Sequence, residues 1–200
     1  EIKGSEHPEE VIVISGHIDS WDVGTGSNDD GAGSVIAMEA VHTLARLKLR
    51  PRRTIRVVLF TNEENGLKGA VAYGEAHKNE VDKHIATLEA DSGGTRPVGF
   101  SFKGKDESYE VVKDIASLLR NLRADNVERS QGGVGADVSV LTDAGVPGVG
   151  LRNDNAHYFD IHHTNADTFE KQDRTDLALN VATMAVMIYV LADMQQPLAR

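Results

Sequence analysis

The sequence predicts an α/β fold, a three-layer α/β/α sandwich built on a mostly parallel mixed sheet. Three observations carry this: short β-branched apolar runs such as Val11-Ile12-Val13-Ile14, amphipathic stretches of helical period between those runs, and glycines at the joins. Strands buried on both faces of a parallel sheet are continuously apolar, whereas a helix with one buried face repeats its apolar positions every three to four residues. Strand, helix, strand in succession is the unit from which such sheets are assembled.

The first strand, 11–14, stops at Ser15-Gly16. Residues 33–49 then place Val35, Ile36, Met38, Val41, Leu44, Ala45 and Leu47 at helical spacing, and Pro51 marks the end. A second β-branched run occupies 55–60, a helix is expected over 67–77, and strands over 85–89 and 98–102. Over 109–122, Val111, Val112, Ile115, Leu118, Leu119 and Leu122 form one apolar stripe. A short helix over 138–143, a strand over 146–151 and a closing helix over 175–194 complete the order. No repeat or linker interrupts it, so residues 1–200 are expected to form a single catalytic domain.

Composition narrows the function. Two hundred residues with 40% hydrophobic content can build one core unaided. The net charge of -10 argues against nucleic acid and anionic membrane, both of which require a basic face. No run of 18 apolar residues suggests membrane insertion. With no cysteine, any transition metal must be held by His, Asp and Glu. The chain opens Glu1-Ile2-Lys3 and is expected to be a processed or excised piece of a longer one.

Ligands of open α/β sheets gather outside the carboxyl ends of the strands. Five acidic or histidine-bearing stretches fall there: Gly16-His17-Ile18-Asp19, Asn28-Asp29-Asp30-Gly31, Asn62-Glu63-Glu64-Asn65, Ala90-Asp91-Ser92 and the 157–168 loop. Taken singly, each also fits a turn or a helix cap. Together they bring two histidines and three carboxylates to one rim. Residues two apart in extended chain share a face, so the Asp19 carboxylate is expected to accept the second ring N–H of His17 and fix its tautomer. Adjacent glutamates on a turn point apart, which allows one to bind metal while the other stands over a water. Three carboxylates facing two divalent cations leave a single positive charge, which one hydroxide would balance.

The order His-x-Asp, Asp, Glu-Glu, Asp, His resembles that of the co-catalytic zinc exopeptidases, metallopeptidase family twenty-eight. The stretches Ser15-Gly16-His17-Ile18-Asp19-Ser20-Trp21-Asp22, Asp29-Asp30-Gly31-Ala32-Gly33, Arg50-Pro51-Arg52-Arg53-Thr54, Ala144-Gly145-Val146-Pro147-Gly148 and His162-His163-Thr164 are most similar to its carboxypeptidase Q branch. The resemblance implies two Zn²⁺, with Co²⁺ or Mn²⁺ as substitutes. His17, Asp29 and Asp91 would hold one, and Asp29, Glu64 and His163 the other, with Asp29 bridging. It further implies Glu63 as general base, a cis peptide between Asp29 and Asp30, a peptide substrate, a secreted or periplasmic location, and compatibility with a homodimer. His162 and Tyr158 both stand where an oxyanion donor would be. Asp137 matches a position near the substrate pocket, or caps the next short helix. A zinc deacylase, a single-zinc glutaminyl cyclase and a metal-free receptor-like module are the competing functions on related folds.

Overall fold

The computed structural model describes residues 1–200 and contains one six-stranded sheet flanked by helices. In chain order the elements are β1 (His7–His17), α1 (Ala32–Arg46), β2 (Arg53–Phe60), α2 (Lys68–His77), β3 (His84–Glu89), β4 (Pro97–Lys103), α3 (Asp106–Ser117), β5 (Asn126–Arg129), α4 (Ser139–Thr142), β6 (Gly148–Asn153), α5 (Tyr158–Ile161) and α6 (Arg174–Asp193). Across the sheet the order is β2-β1-β3-β6-β4-β5. Every pairing is parallel except β4 with β6, so the expected mostly parallel, mixed sheet is found.

Alternation along β1 sets the layers. Ile12 and Ile14 face the large core, which they share with Ile36 and Ala40 of α1, Val112 and Ile115 of α3, and Met184 and Ile188 of α6. Val11 and Val13 point the other way and meet Leu141 and Val146, with Tyr73 of α2 packed alongside. By length and composition α6 is apolar enough to cross a membrane, but here Met184, Met187, Ile188 and Leu191 lie in the core.

The register brings the strand ends level. His17 pairs with Phe60 across β1 and β2, Ser15 with Glu89 across β1 and β3, and Glu89 with Gly150 across β3 and β6. Whatever follows those four strands therefore emerges at one rim.

Several bounds differ from expectation. β1 begins four residues earlier, because the polar stretch before Val11 is still strand. α3 ends at Ser117, and a separate turn at Arg120–Leu122 closes on Arg123 in the left-handed region. β6 lies two residues further along than expected. β5 and α5 have no counterpart in the sequence reading: β5 is an edge strand with Val127 as its one apolar residue, and α5 is a single turn, so neither leaves a periodic signal.

Close packing at the rim depends on Gly33. A Cβ there would meet the carbonyl oxygen of Ala90 and both carboxylate oxygens of Asp30. Gly33→Ala is expected to destabilise the fold by about 1 to 3 kcal/mol, the usual range for overpacking. Chemical denaturation would measure this, and unchanged stability would show that α1 can move away from the end of β3.

Candidate metal centre

His17 ends β1 with its ring buried and its main chain held from both sides. Its N–H donates to Asp30 Oδ2 at 3.0 Å and its carbonyl accepts from Ser34 Oγ at 2.7 Å. Asp30 Oδ1 accepts from the Gly33 N–H at 3.1 Å. The Asp29-Asp30 peptide is cis, as the resemblance implies. Asp30 faces the interior, while Asp29 faces the rim.

Asp29 divides its two oxygens between two groups of donors. Oδ1 lies 3.2 Å from His17 Nε2, which is itself 3.7 Å from Asp91 Oδ1. Oδ2 lies 3.0 Å from His163 Nε2, which is also 3.0 Å from Glu64 Oε2. Despite these distances, no ring N–H is aligned on Asp29 Oδ2, and neither it nor Glu64 Oε1 has a hydrogen-bond partner. Zinc bonds of about 2.0 to 2.1 Å in a tetrahedral site put neighbouring ligand atoms about 3.3 Å apart. Donor atoms that crowd to such separations without hydrogen bonding fit a shared cation.

The Asp19 carboxylate does something other than expected. His17 Nδ1 is 3.0 Å from the Asp19 carbonyl oxygen and 3.7 Å from its carboxylate. The carboxylate instead accepts the Glu63 N–H at 3.0 Å and the Glu64 N–H at 3.3 Å, which ties the end of β1 to the loop after β2. That loop turns through left-handed backbone at Asn62 and Leu67 and through Gly66 at φ 105°.

His162 also departs from expectation. Its Nε2 sits 3.2 Å from Asp29 Oδ2, and its ring stacks on His163 with centroids 3.6 Å apart. Asp29, His162 and His163 therefore converge as a further set of donors able to hold a metal. The Tyr158 ring lies 4.9 Å from that of His162, and burial, reinforced by Asp29 and Asp91, pushes its phenol far above the ordinary value. Tyr158 thus keeps its proton and can donate it in a hydrogen bond.

Asp137 is wholly buried, and both its oxygens lack partners. It does not cap α4. Glu89, overlooked in the sequence, accepts the Val138 N–H at 2.7 Å and the Asp137 N–H at 3.3 Å. A carboxylate ending a buried strand was the available signal.

Every ion pair within the site involves a histidine. Burial opposes charge on His17, but Asp29 and Asp91 outweigh it, and its pKa is pushed up to about 12; a metal held at Nε2 would take the place of that proton. Burial would raise Asp29 too, yet the three histidines keep it below its usual value. Burial, with Asp91 next, carries Asp30 well above its usual value. Burial raises Glu63 against the pull of His17, and burial together with Asp29 raises Glu64. Glu89 rises to about 8 through burial and Asp91, and Asp137 to about 7, chiefly through burial. Carboxylates held this close lack positive charge, and a divalent cation would supply it.

The model of Peptidase family M28 matches residues 1–191. Carboxypeptidase Q from Rattus norvegicus is 44% identical and that from Homo sapiens 40% identical, each across 100% of this chain and 42% of its own length. The solved structure of a Peptidase M28 precursor from Shewanella amazonensis is 37% identical with a TM-score of 0.94, over 100% of this chain and 45% of that one. An aminopeptidase from Aneurinibacillus shares the fold at TM-score 0.75 and 23% identity, over 98% of this chain and 48% of its own. The chain thus spans under half the length of these relatives, and the family match over residues 1–191 together with the shared fold and sequence shows that it belongs to peptidase family M28.

Proposed function

We propose that this chain is the catalytic part of a metal-dependent exopeptidase that takes two Zn²⁺ ions and hydrolyses peptide bonds in short peptides. The observation that carries this reading is the division of Asp29, one oxygen toward His17 and the other toward His163 and its neighbour Glu64. A carboxylate so placed suits a bridge between two cations. The names of the relatives, carboxypeptidase Q and aminopeptidase, support an exopeptidase.

His17, Asp29 and Asp91 would hold one ion, and Asp29, Glu64 and His163 the other. When bound, the ions supply Lewis acidity toward the peptide carbonyl and ease the ionisation of water. Glu63 is the general base: its main chain is fixed by Asp19, and its side chain lies in the field of His17 and Asp91 without contributing to either donor group. It accepts a proton from the attacking water and returns it to the leaving nitrogen. Tyr158 is the better placed oxyanion donor, since the His162 Nε2 is turned toward Asp29. The acidic rim suits the free ammonium end of a peptide.

Two measurements on the full-length protein test the reading. Glu63→Gln is expected to lower turnover on dipeptides by about 10²- to 10⁴-fold while metal content stays at two ions per chain. Glu64→Gln should lose activity and second-metal occupancy together; the opposite pattern of metal loss would exchange the two roles. Chelation is expected to lower the melting temperature, because metal at about 1,000 times its dissociation constant stabilises the native state by about 4 kcal/mol. An unchanged melting temperature after confirmed metal loss would count against a preformed cluster.

A further inference from the structure

Asp167 lies four residues beyond His163 in the same loop, almost completely buried at 4% exposure. Its carboxylate spans two consecutive amides of another part of the chain. Oδ1 accepts the Asn28 N–H at 2.6 Å and Oδ2 accepts the Asp29 N–H at 3.0 Å. Its carbonyl accepts the Thr25 N–H at 2.8 Å and the Thr25 hydroxyl at 3.1 Å. Within its own loop the Asp167 N–H donates to the Thr164 carbonyl at 3.1 Å. Gly24 completes the seam, since a Cβ there would come within 2.8 Å of the Thr164 carbonyl oxygen and 2.9 Å of that of Asp167.

These bonds join the segment carrying Asp29 to the segment carrying His163. The other donor group is assembled differently: His17 ends β1, Asp91 lies just beyond its paired neighbour β3, and Asp30 bonds the His17 and Gly33 amides. We infer that Asp167 is a positioning residue that sets the separation of Asp29 from His163, and with it the affinity of one of the two metal positions. The inference rests on the two-metal reading above. Two N–H groups aimed at one carboxylate leave it no freedom to rotate, so the Asp29 main chain follows the 162–168 loop. Asn at this position would turn an NH₂ toward one of those amides and lose that hydrogen bond.

The test is zinc titration of the metal-free, full-length protein by calorimetry, comparing wild type, Asp167→Asn and Asp167→Glu. Loss of an outer-shell partner typically weakens metal binding about 10- to 100-fold. Wild type is expected to bind two zinc ions, and Asp167→Asn to keep one affinity while the other falls by that factor. Asp167→Glu keeps the charge but is one methylene too long, and is expected to weaken the same position by a smaller factor. If Asp167→Asn does not fold, as judged by circular dichroism, the Glu variant is scored by the same criterion. A purely structural role would lower the melting temperature and leave the ratio of the two affinities unchanged, overturning the inference. Full restoration of both affinities in Asp167→Glu would overturn it as well, because charge alone would then suffice. One zinc ion in wild type would instead sink the two-metal reading, a different failure from two ions whose affinities ignore Asp167.

Discussion

Asp29 offers its two oxygens to opposite neighbours, His17 and His163, and keeping it there means keeping a buried anion among other anions. Asp30, Glu63, Glu64, Glu89, Asp91 and Asp137 all lie close enough for mutual repulsion to appear in the shifted protonation of one or another of them. Like charges this close disfavour their ionised forms, so the arrangement is unfavourable as it stands. The protein tolerates it by two means: histidine, and the backbone N–H.

The backbone N–H separates the carboxylates into two kinds. Asp19, Asp30, Asp167 and Glu89 each accept two main-chain amides, respectively those of Glu63 and Glu64, His17 and Gly33, Asn28 and Asp29, and Asp137 and Val138. Amide donors favour the anion, although burial outweighs them at Asp30 and Glu89, and each carboxylate fixes the chain it grips. Asp29 Oδ2 and Glu64 Oε1, by contrast, are buried without partners. The clamps hold the main chain, and the acids left unsatisfied are those that a cation would satisfy. Asp137 belongs to neither kind: its two oxygens are unpaired, and it stands in neither donor group.

Much of this was legible in the sequence, because strands and helices betray themselves locally. Ile12 and Ile14 alternate with Val11 and Val13, and the run that buries both pairs announces a central strand whose end must lie at the rim. The sites of the acids followed from that, but the division between clamp and donor did not. Asp29 and Asp30 are adjacent and chemically identical, and only the fold turns one outward and the other toward the His17 amide. Spacing pairs Asp19 with His17 but does not say through which oxygen, because the carboxylate is drawn instead to amides of a loop more than forty residues away. Asp167 grips an amide 138 residues distant, a relation to which no periodicity points.

The two donor groups also differ in how they are anchored. His17 and Asp91 leave neighbouring strands whose pairing runs from Val11 to Ser15 on β1, so their spacing is set by the sheet. Glu64 and His163 come from loops with left-handed backbone at Asn62, Leu67 and His163 itself, and those loops are tied to the segments of Asp19 and Asp29 by single carboxylates, Asp19 and Asp167. Sheet pairing is shared among many hydrogen bonds, whereas the loop arrangement depends on a few. Loops positioned on a rigid scaffold are where binding residues concentrate and where sequence change is tolerated. Change at the loop-borne side of this rim can therefore alter the site without disturbing β1 and β3, and the carboxylate clamps, Asp19 and Asp167 above all, are what limit how far it can go.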